Sequence, residues 1–318
     1  MQAACDYLLG FDPLAYDGSL FRVFEGYRDE RLDAARRLRR MIGDSAALGD
    51  LLTGDLISKG EATDRRLELR SPTQTYPPLY LAFTDHPEWV APTDHLLRTF
   101  KRALENRPKI YRAWIESTRC QPMGGVFELN VFGLLNVAFP PVEAQPRLPN
   151  TRKRADFAVS VREWRIFIEA AVLGEPRWET ETRVRMLRDG RSTWGGAVPG
   201  PDEEARRIAS KVEEELMQTA SDLPNVICLS FFDHSPSELA RRWFFEDLFG
   251  GGARYRSRRD GTELDLTNVD RVDAFALFGR DPLVEVVRNP LVARSLRLPD
   301  DVSREVGAAL SAHKLMIR

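Results

Sequence analysis

Asp156 and Glu169 are the residues whose type and spacing point most directly to chemistry. Asp156 lies in Arg154-Ala155-Asp156-Phe157-Ala158-Val159-Ser160-Val161, and Glu169 in Trp164-Arg165-Ile166-Phe167-Ile168-Glu169-Ala170-Ala171. Both stretches are rich in β-branched and aromatic residues, which predicts strands. Only Arg162-Glu163 separates them. Folding the chain back about that pair sets Asp156 directly opposite Glu169. One face of the ribbon is then wholly apolar, with Phe157, Val159, Val161, Trp164, Ile166 and Ile168. The other carries the two acids, then Ala158 opposite Phe167, then Ser160 opposite Arg165. Directly opposed carboxylates repel, so a fold that keeps them needs a cation beside them. A guanidinium from Arg154, Arg165 or Arg177 would serve, as would a metal ion. The register holds for an even, symmetric turn and fails for an odd-length loop.

Two further charged residues sit on predicted helices. Glu128 lies in an apolar helix, Val126 to Ala138, which follows Gly124-Gly125 and stops at Pro140-Pro141. Its helical neighbours are Gly124, Gly125, Val131, Phe132 and Leu135, a setting in which an ionised carboxylate is costly unless paired. It reads as a member of the acidic site or as half of a structural ion pair. Lys211 is one of only six lysines and the only one in the amphipathic helix from about Asp202 to Thr219. Arg207, Lys211, Glu215 and Gln218 share one face of that helix. Lys211 reads as a cation for the site or as an exposed i,i+4 partner of Glu215.

The elements that must position these side chains follow in order. Residues 1–118 form a mainly helical N-terminal region, with helical spacing over Arg28 to Ile42 and Asp94 to Asn106. Pro108 separates the second from the Ile110 to Ser117 segment, and Ser71 to Pro78 reads as loop. Residues 119–318 read as an α/β core with a mixed sheet. After the ribbon, residues 172–200 read as a long polar insertion. Asn225 to Phe232 is a continuous apolar run, as in a buried central strand. Ser235-Pro236-Ser237-Glu238 is a capping box opening a helix that Gly250-Gly251-Gly252 closes. Two more strands are predicted at Ala274 to Phe278 and Leu283 to Val287. A crossover helix between Glu169 and Asn225 implies a parallel pair within a mixed sheet.

Composition limits the function classes. With 46 basic and 48 acidic residues the formal charge is −2, so a nucleic-acid partner must be held by a local patch. Arg152-Lys153-Arg154, beside Asp156, is the better phosphate-contact candidate. Arg254 to Arg259 reads as a solvated turn, with phosphate gripping as the alternative. Three widely spaced cysteines argue for a reducing, cytoplasmic setting and against a zinc knuckle. No apolar run is long enough to span a bilayer, and the start lacks a signal-peptide pattern. There is no P-loop and no Gly-x-Ser-x-Gly elbow. The tryptophans, Trp114 among them, read as core.

The ordered set of Phe127-Glu128-Leu129, Arg154-Ala155-Asp156-Phe157, Ile166-Phe167-Ile168-Glu169-Ala170-Ala171, a lysine-bearing helix and an apolar strand resembles the PD-(D/E)XK nuclease core. The resemblance covers roughly residues 120–235. Arg288-Asn289-Pro290-Leu291-Val292-Ala293 also resembles the tail of bacterial members. It implies a restriction-endonuclease-like fold and hydrolysis of DNA phosphodiester bonds with Mg²⁺ or Mn²⁺. Asp156, Glu169 and the Ala170 carbonyl would hold the ion, with Glu128 pointing toward it. Arg207 joins Arg152, Lys153 and Arg154 as an implied nucleic-acid contact. The sequence departs from the pattern twice. Ala155 stands where proline is usual, and Ala171 where the family has its lysine. Lys211 is then the substitute cation, although Glu215 occupies the position where some members carry the lysine on this helix. The alternative is a nuclease fold without catalysis that binds nucleic acid or serves as an interaction subunit, as a homodimer or with a protein partner.

Overall fold

The computed structural model describes residues 19–43, 46–65, 80, 83–84, 87–149, 152–173, 200–231, 238–250, 254–256, 261, 263–279 and 284–311. The polar insertion beyond Leu173, the Ser71 to Pro78 loop, the capping-box residues Ser235 to Ser237 and Arg177 lie outside these residues. Those that are described fall into two compact units, divided between Asp94 and His95.

The first unit is helical, with α1 (Ser19–Gly43), α2 (Ala46–Leu51) and α3 (Gly54–Arg65). Leu38, Leu48, Leu51, Leu52 and Ile57 are buried in it. Arg39 ties α1 to α3 through a two-pronged pair with Glu61, at 2.7 and 2.9 Å, and a bond to Ser58 at 3.0 Å.

The second unit is α/β. It is built from α4 (Val90–Ala103, of which residues from His95 belong here), α5 (Pro108–Cys120), α6 (Pro122–Ala138), β1 (Glu143–Ala144), β2 (Phe157–Val161), β3 (Trp164–Val172), α7 (Pro201–Leu216), β4 (Asn225–Ser230), α8 (Glu238–Gly250), β5 (Arg254–Arg256), β6 (Glu263–Asp265), β7 (Val272–Phe278), β8 (Val284–Arg288) and α9 (Asp300–Ser311). Six strands form one mixed sheet in the order β1-β2-β3-β4-β7-β8. β3, β4 and β7 run parallel, and the remaining pairings are antiparallel. The long crossover expected between Glu169 and Asn225 is what allows β3 and β4 to be parallel.

Side chains alternate across the sheet, so register decides what each helix covers. Ala171, Ile227, Leu229, Phe275 and Leu277 share a core with Ala205, Ile208, Val212 and Leu216 of α7 and Phe244 and Leu248 of α8. Phe127 and Phe132 of α6 pack edge-on and tilted against Phe278 and Phe157 on the opposite face, at 5.0 and 5.9 Å between centroids. Among the described residues no helix is long and apolar enough to cross a membrane.

Two local expectations are corrected, the start of α6 and the Arg254 to Arg256 segment. Helix α6 begins at Pro122, so Gly124 and Gly125 lie inside it rather than before it. A Cβ on Gly125 would sit 2.1 Å from Thr118 Oγ1, so the glycine permits α5 and α6 to approach closely. Arg254-Tyr255-Arg256 is a strand paired with β6, with Tyr255 buried, rather than part of a solvated turn. The Arg288 to Ala293 stretch acts as an internal clasp. Asn289 donates to the Val269 and Val272 carbonyls at 2.7 and 2.8 Å, and Arg288 donates to the Leu298 carbonyl at 2.9 Å.

Candidate functional site

The β2–β3 ribbon adopts the even register. Val161 faces Trp164 across Arg162-Glu163, and the ladder runs to Phe157 facing Ile168. Arg162 takes a left-handed φ of 54°, so a two-residue turn closes the ribbon without glycine. The tip is tethered, because Arg162 pairs with Asp301 and Glu305 of α9. One step past the ladder's other end, Asp156 meets Glu169. Glu169 shares the α7 face of the sheet with Ala171 and lies level with Ile227.

The Asp156 carboxylate is held at both oxygens. The Ala170 amide donates to Oδ2 at 2.8 Å, and Gln145 Nε2 donates to Oδ1 at 3.2 Å. In a strand a residue's N–H and C=O point to the same side. The Ala170 carbonyl is therefore turned toward the edge where Asp156 stands. Glu169 is buried, 1% exposed, and its Oε1 has no hydrogen-bond partner. Such an atom is costly unless a proton or a cation reaches it.

The electrostatics agree. Burial raises the Asp156 carboxyl to about 6, and the Glu215 charge adds to the rise against the opposing Ala170 and Gln145 bonds. Burial, then the Asp156 and Glu215 charges, pushes Glu169 well above the ordinary carboxylate range. Glu128 is raised by the same three causes, while the Trp114 indole N–H, at 2.6 Å from its Oε2, acts against them. Four carboxyl groups from β3, α6, α7 and the start of β2 thus share one field.

Neither guanidinium within the described residues fills the gap. Arg154 donates to the Gln145 carbonyl at 2.7 Å, and Arg165 pairs with Glu143 at 2.6 Å in solvent. Lys211 bonds Glu215 Oε1 at 2.9 Å and Glu214 Oε2 at 3.0 Å. The i,i+4 pairing with Glu215 is thus present but not exposed, since the Glu215 side chain is only 6% accessible. Gln218 donates to Glu215 Oε2 at 3.3 Å. Glu215, rather than Lys211, is the α7 residue whose charge bears on Glu128, Asp156 and Glu169.

The implied nucleic-acid contacts differ in exposure and partners. Arg152 is exposed. Lys153 donates to the Met217 carbonyl, and Arg154 is turned to Gln145. Arg207 is half-buried on α7.

Sequence reasoning missed Gln145 and the indole of Trp114 as site residues. Trp114 is core, as expected, but its N–H serves Glu128. Glu215 was visible as a member of the Lys211 face, though not as an acid of the site.

No three His, Cys, Asp or Glu side chains among the described residues are grouped so as to hold a metal by themselves. The set that fits a hard divalent ion is smaller: two carboxylates, one with an orphaned buried oxygen, and one backbone carbonyl. Mg²⁺ commonly takes one or two protein carboxylates and fills its other positions with water and phosphate oxygens. Compared with protein-family models, with curated proteins and with solved structures, the chain matches none of them.

Proposed function

We infer that this protein is a divalent-metal-dependent nuclease with a restriction-endonuclease-like (PD-(D/E)XK) core, hydrolysing DNA phosphodiester bonds. The observation that carries the reading is the orphaned Glu169 Oε1 beside an Asp156 carboxylate already fixed at both oxygens. Asp156, Glu169 and the Ala170 carbonyl would hold Mg²⁺ or Mn²⁺. When bound, such an ion polarises the scissile phosphate and lowers the pKa of an attacking water. Asp156 and Glu169 fix the side from which a phosphate can approach. Glu128 adds a third acidic side chain from α6, and burial and the Asp156 charge raise its carboxyl well above the ordinary range. Arg152 and Arg207 offer phosphate contacts on the chain itself.

The test is a nicking assay on plasmid and single-stranded DNA with Mg²⁺ and with Mn²⁺. Cleavage is expected in the wild type and a loss of roughly 10²-fold or more in Glu169→Ala. Equal residual cleavage in both proteins overturns the enzyme reading.

One observation favours a second reading, a nuclease fold that binds without cutting. The ammonium of Lys211 is tied to Glu214 and Glu215, and Ala171 supplies no cation. DNA binding without cleavage at any metal concentration would select it. Absence of both would point to an interaction subunit.

A further inference from the structure

We propose that Gln145 is a positioning residue that sets the Asp156 carboxylate for cation binding, an inference that rests on the metal-site reading above. Gln145 follows the two-residue edge strand β1 and adopts a left-handed φ of 51°. That region disfavours a residue with a Cβ and suits glycine. Strain of this kind persists only where the surroundings over-determine it, and here they do. The Gln145 amide donates to the Asp156 carbonyl at 2.7 Å. Its own carbonyl accepts from Arg107 at 2.9 Å and from Arg154 at 2.7 Å. Arg107 also donates to the Ala144 carbonyl at 2.6 Å, so one guanidinium spans two successive carbonyls. Every backbone polar group of Gln145 is thus committed, and the side chain is delivered to Asp156 Oδ1 at 3.2 Å. With Ala170 on Oδ2, the carboxylate plane is fixed from two sides, which sets the face it turns to Glu169. A glycine would satisfy the same backbone with less strain. What the glutamine adds is the amide on Asp156, and losing a group that orients a metal-binding side chain typically costs about 10–100-fold in metal affinity.

The strain supplies the test. In Gln145→Gly the backbone conformation becomes favourable while the side-chain bond is lost. Free Mn²⁺ is titrated against the full chain by electron paramagnetic resonance, and the urea midpoint is measured in parallel without metal. The expected result is Mn²⁺ binding to the wild type, weakened roughly 10-fold or more in Gln145→Gly, with a urea midpoint equal to or above that of the wild type. Unchanged Mn²⁺ affinity in Gln145→Gly overturns the proposal and leaves the metal site standing. Weaker binding together with a lower midpoint assigns Gln145 to the scaffold and also overturns it. No Mn²⁺ binding by the wild type overturns the metal-site reading itself, and this proposal with it.

Discussion

Glu169 is a carboxylate whose charged form is penalised in the folded protein. Its pKa lies above the ordinary value of about 4.3, first through burial and then through Asp156 and Glu215. The native state therefore binds this proton more tightly than the unfolded chain. Stability from the protonated form is complete below the unfolded value and falls as pH rises from about 4 through the raised native value. Asp156, raised to about 6, acts in the same direction. Glu169→Gln removes the ionisable group while keeping its shape. Without metal it should stabilise the protein at pH 8 by about 1–3 kcal/mol, with the gain gone near pH 4. Urea titrations at the two pH values measure this. Added Mn²⁺ should reverse the order at pH 8 by stabilising only the protein that binds it. The opposition of Asp156 and Glu169 was legible because side-chain alternation and an even turn determine it from letters alone. Gln145 was not legible, because a positive φ in a glutamine and a two-residue edge strand leave no periodic mark.

At the scale of elements, the acidic set depends on how closely helices approach one another. Trp114 and Thr118 lie one turn apart on α5, and Thr118 Oγ1 donates to the Trp114 carbonyl at 2.8 Å. Gly125 packs against Thr118, and Glu128, three residues on, receives the Trp114 N–H. Gly125→Ala would gain about 1 kcal/mol of helix propensity. The clash with a buried β-branched side chain should outweigh it, for a net loss of about 1–3 kcal/mol. Thermal or urea unfolding measures that loss, and a shift in Trp114 fluorescence reports separation from Glu128. Five strands of the main sheet, β2, β3, β4, β7 and β8, were legible because apolar runs and alternation mark them, as was the parallel pairing of β3 with β4, whereas the two-residue β1 was not. The start of α6 was not, since Gly124-Gly125 looks like a helix breaker unless the neighbouring helix is known. The β5–β6 ribbon was also hidden, because Arg254-Tyr255-Arg256 is dominated by charge and only Tyr255 turns inward.

For the whole molecule, charge sets the terms of any nucleic-acid encounter. The net value of −2 gives no general attraction for phosphates. Arg152, Lys153, Arg154 and Arg207 are the basic candidates, and Lys153 and Arg154 already donate to backbone carbonyls. Each phosphate neutralised contributes about −0.9 to the slope of log affinity against log salt for duplex DNA. Under the nuclease reading the slope should therefore lie between about −2 and −4 by fluorescence anisotropy. A slope near −8 would mean that a larger basic surface makes the contact, against the local-patch account. The α/β class and the mixed sheet were legible from the order of predicted elements. The boundary between units at Asp94 and His95 was not, because it falls inside a helix, where composition does not change.

The tethered tip of the β2–β3 ribbon has an arithmetic consequence. With two residues in the bend and both faces of the ribbon committed, the register is strongly specified, and Arg162 ties the bend to α9. Adding one residue there would exchange inside for outside along a whole arm, sending an acid toward the aromatic rings of α6 and a phenylalanine toward its former place. Adding two would restore the facing but not the level. The opposition of Asp156 and Glu169 is thus protected by parity, and this short bend is where an insertion would be least forgiven.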